Sequence, residues 1–180
     1  DRTDQVTGAV LVFRDAEQER HYATQLSYQA SHDALTGLIN RREFERRLGL
    51  ALAGARENGR HHAMLYLDLD QFKLVNDTCG HQAGDRLLKQ ITGILQTRIR
   101  TSDTIARLGG DEFGILLQDC TADRAAKIAD SLRQAIREYR FEWQDGAMNV
   151  GVSIGIVEIN SSSESIGSVV SASGVRWYAA

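Results

Sequence analysis

Two short stretches of this sequence pair acids with the kind of backbone that chemistry on phosphates needs. Asp68-Leu69-Asp70 closes an apolar run, Ala63-Met64-Leu65-Tyr66-Leu67, and Asp111-Glu112 follows directly on Gly109-Gly110. Carboxylates leaving adjacent strands at one sheet edge can hold a hard divalent ion. Mg²⁺ takes oxygen ligands, keeps several waters and is commonly completed by substrate phosphates. Glycines carry no Cβ, so their backbone can come close to a phosphate. Acids at strand ends are common, and D-x-D alone says little. The added Gly-Gly-acid-acid turn favours a site for metal and phosphate.

Asn76 and Asp85 lie downstream of the first acid pair, with Gly80-His81 between them. An Asp carboxylate matches the paired N–H donors on the Watson–Crick edge of guanine, and an Asn amide can serve a neighbouring donor and acceptor. Spacing alone favours the plainer reading, with Asn76-Asp77 as a turn and Asp85 as a charge near a helix start. Other residues read as bland. His61 and His62 precede a strand and are expected to be exposed. Arg41, Arg42, Arg46 and Arg47 form a solvated helix face, and Trp143, Trp177 and the tyrosines show no stacking pattern.

The elements that must position these groups follow from periodicity. Arg41 to about Glu57 places Phe44, Leu48, Leu52 and Ala55 on one helical face, and Gly84 to Ile99 does the same with Leu88, Ile91, Leu95 and Ile99. Ala63–Leu67 reads as a buried strand. Ile105–Leu108 and Phe113–Leu117 flank Gly109-Gly110 as a hairpin. Thr121 is placed to cap a further helix, and Val150–Val157 is the most apolar strand. Gln5–Phe13 reads as a strand without neighbours, the tail of an upstream domain. A polar helix from Asp15 to about Ala30 follows, either a connecting segment or a dimerising one. A Ser/Gly-rich loop and the start of a last helix finish the chain. The order of elements implies an α/β (α+β) fold, a mixed sheet covered by helices.

Composition sets outer bounds. The 180 residues carry 21 Lys+Arg against 24 Asp+Glu, a net charge of −3, which argues against a non-specific nucleic-acid binder. With 42% hydrophobic and 25% charged residues the chain reads as globular, and a domain this size buries about 70% of its unfolded surface. No apolar run reaches the roughly 18–20 residues that a bilayer crossing requires, so no direct membrane contact is expected. Two cysteines, Cys79 and Cys120, are too few for a disulfide scaffold and lack metal-ligand spacing, and a reducing cytoplasmic setting is the default.

Arg107-Leu108-Gly109-Gly110-Asp111-Glu112-Phe113 resembles the signature of the GGDEF family, the bacterial diguanylate cyclases. Asp33-Ala34-Leu35-Thr36-Gly37-Leu38-Ile39-Asn40-Arg41-Arg42 resembles the opening segment of that family. Asp68–Lys73 with Asn76-Asp77, Gly80-His81 and Gly84-Asp85 resembles its substrate segment, and Val152–Ile156 its late core strand. The likeness runs from about residue 31 to 170 in the family's order. It implies a palm-like nucleotidyl-cyclase fold, a mostly antiparallel central sheet flanked by helices, here behind an N-terminal connecting helix. Residues 1–30 would be the end of a PAS-type sensor domain plus a linker, and 31–180 the cyclase domain.

The resemblance further implies a metal-dependent enzyme that joins two GTP into cyclic di-GMP with loss of two pyrophosphates. Asp68, Asp111 and the carbonyl of Leu69 would hold Mg²⁺ or Mn²⁺, two ions per active half-site. Asn76 and Asp85 would read guanine, which reverses the plainer reading. Phe72-Lys73 and Gly109-Gly110 would cradle the triphosphate. Glu112 would support the metal site, and Asp111 could take the proton of the attacking hydroxyl. Since one domain binds one GTP, a two-fold homodimer would complete the active site. Arg100 and Asp103 match the family's R-x-x-D inhibitory site for the product, although an Arg at a helix end and a turn Asp are also ordinary features.

The tail departs from the pattern. Where the family has an Ala-Asp helix, then a Lys and a Gly-Arg-Asn turn whose Lys and Arg contact the triphosphate, this chain has Ala172-Ser173-Gly174-Val175-Arg176-Trp177-Tyr178-Ala179-Ala180. The expectation is a C-terminally incomplete domain. The alternative function is therefore a weak or inactive regulatory module that binds GTP or cyclic di-GMP.

Overall fold

The computed structural model describes residues 16–144, 146–163 and 176–178. Residues 1–30 and 31–180 form separate compact units. In the first, helix α1 (Ala16–Ser31) accounts for the expected polar helix. The expected strand over 5–13 and the Asp15 cap lie outside the described residues, as do the loop over 164–175, Ser173 and Gly174.

The second unit is built on a six-stranded sheet. In chain order its elements are β1 (Ile39–Asn40), α2 (Arg41–Asn58), β2 (His62–Asp70), α3 (Phe72–Cys79), α4 (His81–Arg98), β3 (Thr104–Gly109), β4 (Glu112–Leu117), α5 (Ala122–Glu138), β5 (Arg140–Trp143), β6 (Gly146–Asn149), β7 (Gly151–Ile159) and β8 (Arg176–Tyr178). The sheet order is β1-β3-β4-β2-β7-β8, with β5 and β6 as a separate ribbon. Among the described residues only the β1–β3 pair in this sheet is parallel.

The strand period of two splits the core. Leu65, Leu67 and Leu69 of β2 join Phe113, Ile115, Val152 and Ile154 under α4 and α5. On the other face Met64, Leu116, Val157 and Ile159 meet Phe44, Leu48 and Leu52 of α2. The Phe44 ring lies so close to β4 that a Cβ on Gly114 would stand 2.9 Å from its Cζ. Helix α2 is closed at both ends. Asn40 Oδ1 accepts the Glu43 N–H at 3.0 Å, and Gly59 takes a left-handed turn.

Several expectations change. Thr121 stands at the start of α5 in extended conformation but makes no side-chain cap. The expected last-helix start lies outside the described residues, and the short segment Arg176–Tyr178 beyond it forms β8, which pairs with β7 through Ile154↔Tyr178, Gly155↔Trp177 and Ile156↔Arg176. His62 is buried, not exposed. Its Nδ1 accepts the Asp119 N–H at 3.1 Å, and burial pushes its pKa down. Trp143 stacks on Phe141 at 6.3 Å, with the Arg86 guanidinium 5.9 Å from its ring centre. Both cysteines are free, and no described helix is long and apolar enough to cross a membrane.

Candidate active site at the end of the central strands

Strand β2 sends its odd-numbered leucines into the core, so Asp68 and Asp70 emerge together on the opposite face. Asp68 stands opposite Glu112 of β4 on one side and Ser153 of β7 on the other. Asp70 Oδ1 accepts a hydrogen bond from Ser153 Oγ at 2.8 Å. Between the two acids, the Leu69 N–H donates to the carbonyl of Asp111 at 3.3 Å, which ties the end of β2 to the β3–β4 turn. Asp68 and Asp111 are thus brought to one place. The pKa of Asp68 is raised, first by burial and then by the negative charges of Asp111, Glu112 and Asp70.

The hairpin closes on Gly110-Asp111, one residue later than the glycine pair suggests, because Gly109 ends β3 beside an irregularity in the ladder. Gly109 and Gly110 have φ of +153° and +49°, and a Cβ on either would meet nothing within 4 Å. Their backbone therefore faces open space, as a phosphate cradle requires. Arg107 holds the turn. It bonds the Gly110 carbonyl through two nitrogens at 3.0 and 2.8 Å and both Asp33 carboxylate oxygens at 3.2 Å. Burial works against ionised Asp33, but hydrogen bonds from Thr36 and Arg107 outweigh it and lower its pKa. Arg41 bonds the Leu108 carbonyl at 3.0 Å and pairs with Glu112 at 3.2 Å. The Tyr66 hydroxyl also lies against Glu112, and burial followed by that contact raises its pKa.

Arg41 therefore supports the site from the solvated face that the sequence predicts, its side chain 52% exposed. Arg47 is likewise engaged, with Glu43 at 2.8 Å and Thr104 at 3.3 Å. Sequence reasoning missed Arg107, Asp33, Arg41, Tyr66 and Ser153 as supports. The signal available was that Arg107, Asp33, Arg41 and Ser153 sit inside the family-like segments.

After Gln71, which takes φ +62°, the chain turns into α3, which carries Phe72, Lys73 and Asn76. The Gly80 N–H bonds the Asn76 carbonyl at 2.9 Å and opens α4, where Asp85 is exposed in the second turn. Asn76 is helical, which corrects the plainer reading of Asn76-Asp77 as a turn.

Arg100 and Asp103 lie at the opposite end of β3. The Asp103 N–H bonds the Arg100 carbonyl at 3.0 Å, and Asp103 Oδ1 accepts the Gln118 N–H at 3.0 Å. Both residues line a cavity of about 470 Å³ together with Arg47, Gln96 and Thr101.

Among the described residues no three His, Cys, Asp or Glu side chains are grouped as metal ligands. What the site offers is Asp68, Asp111 and backbone oxygen. An all-oxygen donor set whose carboxylates repel one another fits a hard cation that takes its remaining ligands from water and phosphate.

Residues 30–180 match the family described as "Diguanylate cyclase, GGDEF domain". The chain belongs to the GGDEF family. This GGDEF domain is similar to the probable diguanylate cyclase DgcE of Escherichia coli, with 43% identity over 96% of the chain and 16% of that protein. It is 41% identical to the cyclic di-GMP phosphodiesterase PdeB of Shewanella oneidensis, over 84% of the chain and 17% of that protein. Among solved structures, the coiled coil and GGDEF domain of DgcB from Caulobacter crescentus, in complex with c-di-GMP, superposes with a TM-score of 0.80 at 29% identity. That match covers 86% of this chain and 82% of the other. The chain thus spans about a sixth of the two curated relatives named here.

Proposed function

We propose that this GGDEF domain is a diguanylate cyclase: it condenses two GTP into cyclic di-GMP and releases two pyrophosphates. The observation that carries this reading is the meeting of Asp68 and Asp111 beside the bare Gly109-Gly110 backbone. In each of the two linkages, a ribose 3′-oxygen of one GTP bonds to the α-phosphorus of the other, its proton leaves, and the α–β phosphoanhydride bond breaks. Asp68, Asp111 and the Leu69 carbonyl would hold two Mg²⁺ or Mn²⁺ ions. Bound there, such ions neutralise charge on the triphosphate and favour loss of the hydroxyl proton. The chain's own residues orient the reactants. Gly109 and Gly110 with Phe72-Lys73 admit the triphosphate, Asn76 and Asp85 face the guanine, and Asp111 accepts the proton. Glu112, held by Arg41 and Tyr66, keeps the acid cluster in register.

Each domain offers one such cleft, so two domains must face each other, and a homodimer is the active form. This reading puts the domain in the cytoplasm, with GTP. Arg100 and Asp103 would take the product, through a guanidinium for phosphate and a carboxylate for guanine donors. Incubation with GTP and Mg²⁺ followed by nucleotide chromatography tests the activity, and a cyclic dinucleotide is the expected product. The likeness to a named phosphodiesterase supports a second reading, a domain that binds GTP or cyclic di-GMP to regulate a neighbour. Binding of GTP without turnover would favour it.

A further inference from the structure

Gly84 sits inside α4, where glycine weakens a helix relative to alanine. Its backbone is helical and it is buried, so neither a turn nor solvent calls for glycine there. What excludes a side chain is Asn76. A Cβ on Gly84 would fall on Asn76 Oδ1, 3.0 Å from Asn76 Cγ and 3.1 Å from the Phe72 ring. The Asn76 amide therefore occupies the space that a Cβ at position 84 would fill, against the first turn of α4. The bond between the Gly80 N–H and the Asn76 carbonyl fixes the corner between the two helices. The half-buried Asn76 amide is thus seated against the residue that immediately precedes the exposed Asp85.

We propose that Gly84 is a positioning residue for base recognition: its missing side chain is the seat that aims the Asn76 amide alongside Asp85. The proposal rests on the reading that Asn76 contacts guanine. An alanine at 84 must turn the Asn76 amide out of its seat, because the alternative is a shift of the helix pair that the short Gly80 corner resists. The helix itself gains from alanine, so the expected damage is to recognition and not to folding.

The test is a double-mutant cycle on the full chain, read by GTP affinity from calorimetric titration and by thermal melting. Gly84→Ala should weaken GTP on the order of tenfold, the cost of one misaligned hydrogen-bonding group, with no fall in Tm. Asn76→Ala should weaken GTP similarly. In the Asn76→Ala background, Gly84→Ala should change affinity by less than twofold, because there is no longer an amide to displace. Should Gly84→Ala fail to fold, the double variant must recover a cooperative melt close to the parent's, since only the milder contact with the Phe72 ring at 3.1 Å remains. Full additivity of the two effects, or unaltered GTP affinity in Gly84→Ala when Asn76→Ala weakens it, overturns the proposal and leaves the reading of Asn76 standing. Unaltered affinity in Asn76→Ala defeats that reading and the proposal with it.

Discussion

The guanidinium of Arg107 and the carboxylate of Asp33, 74 residues apart in sequence, meet with 3.2 Å between Nη1 and each oxygen. The pair is largely shielded, with side chains 14% and 24% exposed. Its other partner is the Gly110 carbonyl, so the loop before β1 and the glycine turn share one clamp. A lysine offers a single point charge and cannot span both. Arg107→Lys should lower product formation from GTP at least about tenfold, while Tm falls by roughly 2–4 °C. Chromatography of the products and calorimetric melting check the two halves of this expectation, and an unchanged rate contradicts it.

Asp68 carries a charge that its surroundings resist. Replacing it by Asn should remove the repulsion from Asp111, Glu112 and Asp70 and raise Tm in metal-free buffer. The rise should be small, about 1–2 °C, because the residue is only partly withdrawn from water and its charge is screened. Turnover should drop by a factor on the order of 10² or more. A variant that loses stability and keeps its rate would show that Asp68 is structural.

Arg100 lies at the far end of β3 from the acid cluster. Arg100→Ala should relieve inhibition by added cyclic di-GMP while the initial rate stays within about twofold of the parent, an expectation drawn from the contact an arginine makes with phosphate. Progress curves with and without added product measure both, and inhibition that persists unaltered refutes the assignment.

Glu43 couples the start of α2 to acidity. Hydrogen bonds from Arg46 and Arg47 hold its pKa down, from 4.5 to about 2. As pH falls, the unfolded chain takes up this proton before the folded one does. The stabilisation is therefore complete at neutral pH and is lost as pH drops from about 4.5 towards 2. Glu43→Gln should melt about 1–3 °C below the parent at pH 7, a modest gap because both arginines are well exposed. Melting curves across the acid range should show the gap closing near pH 2.

The long elements could be read from the chain because their burial is periodic. Phe44, Leu48 and Leu52 mark α2, the alternating leucines of β2 mark the face opposite its acids, and Ala125, Ala129, Leu132 and Ile136 mark α5. Helix α3 has only eight residues, too few to be stable alone, and its single buried side chain, Val75, leaves no stripe to recognise. The β5–β6 ribbon buries only Phe141, so no alternating stripe marks it in the sequence. The acids and glycines of the site were visible as types and spacings. Their supports were not, because Arg107 reaching Asp33, or Arg41 reaching Leu108 and Glu112, depends on which strands become neighbours. The burial of His62 is hidden for a related reason: it depends on the β4–α5 turn, which delivers the Asp119 N–H to Nδ1.

Strands β3 and β4 have six residues each, so the ladder between them is about 20 Å long at roughly 3.3 Å per residue. It joins the Gly110-Asp111 tip to the pocket lined by Arg100 and Asp103. The register shift between Arg107 and Gly109 sits at the turn end of this ladder, so the pairing is regular from Thr104 to Arg107 and the chain bends only where it delivers Asp111.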